Sequence, residues 1–487
     1  MVGKEAFTRR IFHSRLVLLL AFAFAVMGDP VSSVAYAIEA ALRALHGDLL
    51  LLLPSIGIVL AIIVLVSVNY HQLYARFPEG GGDAAAAGRA FGEGWAFVPL
   101  GALIVDYTLT ITISVAAGAS AVIAYVPGLQ PERVPLALVL LCLVAGLTWF
   151  GHGGRSVFGL MTVAFLVAST AVILIGFLAP HAHGHAPLRV HDPHWPPVAV
   201  LLAFPVAMAL ATGVEAPSSA IAQLGQLDDP GRRRFGRITL WLMLAIVLWL
   251  TIGLSVLAVR LRVGIPPANS TQVSEIARTA AGNGALFASF QLTTALLLLA
   301  AASSSFQAGP GLLKALAGGG HGLGILPAPL GQANRHHTPY WSVVVFLAVS
   351  AALVVAAGAR EQRLVLFYAV AVFLAFLAGL LAMCRFFRAE GRRRLLATSV
   401  LGAVAVTLTL ALNLARGYPI ASLAAAGAIA AALYHLWARA GKPSGITEAE
   451  RLAEAESEAE AAEAPPAPPQ APIATASPTN LKPPHAE

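Results

Sequence analysis

With 487 residues of which 58% are hydrophobic and only 11% charged, and with a mean hydropathy of +0.76, the chain is too apolar for a soluble domain of its length. Its net charge of +7 and isoelectric point near 9.7 come from Lys and Arg that hug the ends of apolar runs with no interleaved aromatics, which argues for membrane anchoring and against nucleic acid as a partner. The two cysteines, Cys142 and Cys384, fall in different predicted helices near opposite membrane faces, so no disulfide is expected between them.

Crossing a hydrocarbon core of about 30 Å takes about 20 apolar residues of helix, and twelve such runs follow one another along the sequence. A basic segment, 1–15, leads into the first run, 16–44, which is interrupted by "GDPVSSVAYAIEA". The same forty residues also fit a cleaved export signal, with a basic start, an apolar stretch from Leu16 to Met27 and the small-x-small site Ala35-Tyr36-Ala37. The second run is 49–70 and is followed by the loop "FPEGGG" at 77–82. The third, 96–126, carries "VDYTLTITIS", in which Thr110 and Ser114 follow Asp106 at four and eight residues, on one helical stripe.

Runs four and five are 135–151 and 155–178. The loop after them, 180–195, holds five histidines; His181, His183 and His185 alternate as chelating side chains can, but no fixed element positions them, and a solvated loop is the better account. The sixth run, 196–222, contains "ATGVEAPSSA". Runs seven to twelve are 237–259, 283–306, 340–357, 364–386, 393–413 and 418–438, the eighth holding Ser303, Ser304 and Ser305, which suit close helix packing. From 441 to 487 the composition turns acidic and then Pro-rich, the pattern of a disordered tail.

The first and sixth runs echo each other. Gly28, Asp29, Pro30, Ser32 and Ser33 in one match Gly213, Glu215, Pro217, Ser218 and Ser219 in the other. Proline removes a backbone donor and glycine adds freedom, so each run is expected to unwind near its middle. Unwound backbone at membrane depth survives only where it is buried or lines a wet cavity, and paired breaks point to a secondary transporter built from inverted repeats. The expected architecture is an all-α membrane protein of about twelve spans with a 5+5 inverted repeat, repeats at 16–178 and 196–386, discontinuous first and sixth helices, and peripheral helices at 393–438.

Three acids fall at mid-span, Asp29, Asp106 and Glu215. A carboxylate there costs at least about 2.5–3.5 kcal/mol, so it persists only where it faces a cavity, a partner or a solute. Tyr36 lies two turns after Asp29 and Thr212 three residues before Glu215, which completes a ring of oxygens with Thr110 and Ser114 at the repeat interface. Lys and Arg are in excess on the N-terminal side of the scheme, so both termini are expected in the cytoplasm of a plasma-membrane protein.

These motifs occur in the order found in the amino acid–polyamine–organocation (APC) superfamily, and over residues 15–440 the chain most resembles its KimA-type potassium importers. The resemblance implies the inverted-repeat fold and assigns ion binding to Asp29, Tyr36, Asp106, Thr110, Ser114, Thr212 and Glu215. Three departures stand out: Pro30 replaces the usual alanine, the loop "GGGAY" reads "GGGDA", and "FPRL" after the eighth helix reads "GPGL". The tail after 440 does not read as the branch's cytosolic regulatory domain, so regulation through that domain is not expected here.

The solute follows from the donor set. A free amino acid needs amides for its carboxylate, whereas Asp29 and Pro30 present an anion and a residue without N–H. A dehydrated monovalent cation needs several oxygens and enough negative charge to offset desolvation, which the seven residues supply. The expectation is proton-coupled potassium uptake with no cofactor and lipid as the surrounding partner, the oligomeric state being open; a proton-coupled amino acid or amine permease is the alternative. A channel would need repeated filter loops, and an enzyme a nucleophile or His-containing pair at a membrane face; neither is visible.

Overall fold

The computed structural model of the chain describes residues 15–150, 155–190, 194–224, 227–318, 322–336 and 338–453. Those residues are helical throughout, joined by turns and two isolated β-bridges, with no strand among them. Among the described residues twelve helices are long and apolar enough to cross a membrane, one for each expected run. Several run longer than hydropathy alone indicates: the second reaches Arg76, the seventh starts at Asp229 and the eighth continues to Leu316. These added end turns lie beyond the apolar window, where hydropathy cannot register a helix.

The first span is made of α1 (Arg15–Val26) and α2 (Gly28–Ala44), the second of α3 (Leu49–Arg76). A ten-residue helix, α4 (Gly82–Phe91), follows, and α5 (Phe97–Tyr125) forms the body of the third span. The fourth and fifth spans contain α6 (Arg133–Trp149) and α7 (Arg155–Leu178); the sixth contains α8 (Pro196–Ala207) and α9 (Ala216–Ala220). The seventh span is α10 (Asp229–Arg260), then comes the short α11 (Gln272–Ala281), and the eighth to twelfth are α12 (Ala285–Leu316), α13 (Tyr340–Ala357), α14 (Glu361–Ala389), α15 (Arg393–Leu414) and α16 (Ile420–Arg439). The hydropathy pattern does not register α4 and α11, which at ten residues each are too short to span.

The third and sixth spans are the most enclosed, and the fourth, eleventh and twelfth the least. α5 packs along α12 and α14, while α2 packs on α8, α10 and α12, so the segments that carry the three acids meet at the centre. Aromatic side chains fill that core: Tyr36, Phe165, Phe290, Phe306, Tyr368 and Phe373 are fully enclosed. The proposed cleavage motif Ala35-Tyr36-Ala37 is buried inside α2.

The two expected breaks differ. In the first span only Met27 interrupts the helix, and the ladder continues around it, Met27 N–H to the Ala23 carbonyl and Val31 N–H to the Met27 carbonyl, both at 3.0 Å. Pro30 sits in the first turn of α2, where its ring fits and only the bond to the Val26 carbonyl is lost. In the sixth span the α-helix ends at Ala207 and a 3-10 turn covers Met208–Ala211. Thr212 is then extended (φ −65°, ψ 144°) and Gly213 left-handed (φ 75°), before α9 resumes with Pro217 in its first turn.

The face opposite the N-terminus is closed by polar clasps. Glu39 accepts from Arg43 at 2.7 Å and from the Gln272 amide at 2.9 Å. Arg133 donates to Ser120 at 2.6 Å, and Ser120 to Glu361 at 2.7 Å. The histidine-bearing loop is strapped over this face by its main chain: the amides of His181, Ala182, Gly184 and Ala186 donate to the carbonyls of Ala280, Thr279, Leu261 and Arg262. The side chains of His181, His183 and His185 are exposed, and no three His, Cys, Asp or Glu converge to hold a metal among the described residues. Cys142 and Cys384 are free thiols.

At the other face the chain does not leave the fold at 441. Ile446, Ala449 and Ala453 are buried against Phe97, Leu100, Leu312, Leu316 and Trp437. Pro443 and Gly445 tie the approach, their polar partners being Trp437 Nε1 at 2.8 Å and Glu93 Oε1 at 3.1 Å. The rest of the expected tail, 454–487, and the basic segment 1–14 lie outside the described residues.

Candidate functional site

The two breaks lie against each other. A side chain at Gly213 would meet the Pro30 ring, its Cβ 2.6 Å from Cδ, and Asp29 Oδ2 at 3.1 Å, so the left-handed glycine lets the sixth span close onto the first at the level of the acid. Gly28, on the other side of Asp29, faces Thr162 of the fifth span. The echo extends to hydrogen bonding: Ser32 Oγ donates to the Asp29 carbonyl and Ser218 Oγ to the Glu215 carbonyl, each at 2.7 Å. In both spans the serine three residues after the acid occupies the acid's own carbonyl, which fixes the backbone from which the carboxylate projects.

Asp29, Asp106 and Glu215 line one cavity of about 100 Å³, shared with Tyr107, Ser219, Ser304, Ser305 and Gln307. Asp106 and Glu215 are buried residues, and each of the three acids keeps a buried oxygen without a hydrogen-bond partner, Oδ1 of Asp29, Oδ1 of Asp106 and Oε2 of Glu215. The lining contains no Lys, Arg or His. Buried polar atoms are nearly always satisfied, so three carboxylate oxygens without a protein partner leave unused acceptor capacity around one space.

Tyr36, Thr110 and Thr212 are buried beside the acids rather than in the cavity wall. Thr110 Oγ1 shares a short hydrogen bond with Tyr368 Oη, and Thr212 Oγ1 donates to the Ala209 carbonyl at 2.8 Å. Tyr36 Oη lies near Thr212 and Tyr368 but is bonded to neither. Its backbone carbonyl is held by Gln362 at 3.2 Å, next to the clasp at Glu361. Ser114 Oγ is buried without a partner one turn beyond Thr110. Tyr368 is the member that the sequence reading missed; a lone hydroxyl in the apolar run "LVLFYAVAVF" was its only signal, and nothing local distinguishes it from a core tyrosine.

Two comparisons bear on this arrangement. Residues 18–437 match the amino acid permease family. The potassium transporter KimA of Bacillus subtilis (strain 168) is 28% identical over 397 residues, which cover 79% of this chain. The match spans 63% of the length of that relative.

Proposed function

The chain belongs to the amino acid permease family, and on that premise we propose that it takes up potassium together with protons by alternating access. It is a multi-pass membrane transporter and not an enzyme. In this reading residues 16–178 and 196–386 are two inverted repeats whose sixth helix is discontinuous and whose first is loosened at Met27, the remaining spans are peripheral, and both termini face the cytoplasm across the plasma membrane.

The observation that carries the reading is the cavity itself. Three carboxylates with orphaned oxygens border it and no basic side chain does. A monovalent cation stripped of water needs oxygens and negative charge, whereas an amino acid carboxylate needs donors that Asp29 and Pro30 withhold. Asp29, Asp106 and Glu215 supply charge in this scheme, and Tyr36, Thr110, Ser114 and Thr212 neutral oxygens; carboxylates this close cannot all ionise together, so one carries the proton. The likeness to a protein described as a potassium transporter adds weight to the cation.

Uptake of potassium by a potassium-deficient bacterial host, repeated with purified protein in liposomes under an imposed proton gradient, tests the proposal. Accumulation of a labelled amine or amino acid without potassium flux overturns it in favour of the family's other solutes. Tyr368→Phe removes the partner of Thr110. One hydrogen bond in a charged site is worth about 1.5 kcal/mol, so apparent potassium affinity is expected to weaken about tenfold with protein level unchanged.

A further inference from the structure

Asp83 is a buried carboxylate that the site above does not use. It replaces the alanine of the resembling loop, stands in the first turn of α4 and is 5% exposed. The tenth span makes room for it: a Cβ at Gly379 would lie 2.0 Å from Asp83 Oδ1. Its polar partner is a neutral donor, Tyr70 Oη at 2.6 Å, rather than a cation. A small cavity lined by Asn69, Tyr70, Phe376 and Met383 borders it.

On its other side the glycine loop rests on the resumed half of the sixth span. A Cβ at Gly82 would come within 3.4 Å of Ser218 Oγ and 3.5 Å of Ser219 Oγ, and Ser219 lines the central cavity with Glu215. Tyr70 and Tyr74 of the second span each lie within electrostatic reach of both Asp83 and Glu215, and the Tyr74 hydroxyl is buried without a partner. Of the other titratable groups nearby, Arg89 pairs with Glu79, Glu93 accepts from the Gly445 amide and Glu450 flanks Gly82; the tenth span lines the small cavity with Phe376, Gly379, Leu380 and Met383 and lays Arg385 over the Phe91 ring at the far end of α4.

We propose that Asp83 is a proton-exchange group of the transport cycle, taking the proton that Glu215 gives up and releasing it to the cytoplasmic side. The O–H bond on Glu215 breaks as one on Asp83 forms, with the Ser219 hydroxyl or a water molecule passing the proton; the new bond then breaks to water. Tyr70 steadies the ionised form by donation, and burial opposes it, pushing the carboxyl up from 3.8 to about 7, where small changes in pH change its charge. The proposal rests on the proton-coupled reading above, and its test separates the two.

Infrared difference spectroscopy of the purified full-length protein needs no solute. The expected result is a protonated-carboxyl band that fades as pH rises through about 7 and is missing in Asp83→Asn. Folded Asp83 keeps its proton to a higher pH than the unfolded chain, so its contribution to stability declines as pH rises from 3.8 toward 7, and Asp83→Asn flattens that slope. In liposomes Asp83→Asn is expected to keep potassium–rubidium exchange but to lose proton-driven uptake by about tenfold or more, with Asp83→Glu restoring part of it. An unchanged band, or equal proton-driven uptake in both proteins, overturns the proposal. A band that titrates with Asp83 in a protein that moves no potassium supports the exchange group and sinks only the choice of solute.

A separate observation concerns the segment Gly445–Ala453. Ala453 lines the central cavity beside Leu103, Ser305 and Gln307, although it belongs to no span. We infer that this segment is a plug on the cytoplasmic mouth that must lift for solute to leave. A Cβ at Gly311 would lie 3.8 Å from that of Ala453, within the range a disulfide requires. In a Cys142→Ser, Cys384→Ser background, oxidation of the Ala453→Cys, Gly311→Cys pair is expected to stop uptake, and reduction to restore it. Independently of solute, Ser305→Cys should react with an impermeant maleimide from the cytoplasmic side at least about tenfold faster when Ile446→Asp unseats the segment. Uptake that survives cross-linking, or labelling that Ile446→Asp leaves unchanged, overturns the plug.

Discussion

Asp29→Asn is expected to abolish potassium uptake at low external potassium while leaving the amount of protein in the membrane unchanged. The side chain keeps its shape and its position between Gly28 and Pro30, but the negative charge disappears from a space bordered by only two other carboxylates. Removing one partner from a buried charge pair costs about 3 kcal/mol or more, roughly a hundredfold in apparent affinity. The measurement is rubidium uptake against concentration in the potassium-deficient host. A variant that transports with wild-type affinity would remove Asp29 from the site and leave Asp106 and Glu215 to carry the cation between them.

The second large effect is expected from a single methyl group. Gly213→Ala forces a residue with a Cβ into φ 75° and places that Cβ 2.6 Å from Pro30 Cδ. The left-handed backbone costs about 1–2 kcal/mol and the overlap about 1–3 kcal/mol more, because both partners are main-chain or ring atoms that cannot swing away. The sixth span must retreat from the first, carrying Glu215 with it. Uptake is expected to fall about a hundredfold together with a lower midpoint of thermal unfolding in detergent. Gly417→Ala, also left-handed at φ 83° but with nothing within 4 Å of its Cβ, is the control that separates backbone strain from collision.

Much of this was legible in the residues. Hydropathy finds all twelve spans because each must bury its own backbone polarity in lipid. The three acids announce themselves because a mid-span carboxylate is too costly to be filler. What could not be read is whatever depends on which helices meet. Pro30 and Pro217 look alike in sequence, yet the first span barely loosens at Met27 while the sixth opens over Thr212–Glu215; the difference lies in Gly213, which adopts a positive φ that no residue of the first break matches. Tyr368 enters the cluster only because α14 packs on α5. In sequence Asp83 is only a departure in a glycine loop, and its seat depends on Gly379, nearly three hundred residues away. Composition alone predicts disorder after 441, but of the described residues up to 453 four, Ile446, Ala449, Glu450 and Ala453, are buried in a seat that composition cannot reveal.

The strap from His181 to Ala186 holds its course by amide-to-carbonyl bonds, while its three histidine side chains are exposed. Its outline therefore does not depend on which side chains it bears. Histidine can be exchanged there for almost any residue except proline at a donating amide without moving the rim, so this stretch is open to drift in recognition properties while the architecture beneath it stays fixed. A surface of that kind is where an affinity handle or an epitope can be written into the protein at little structural risk.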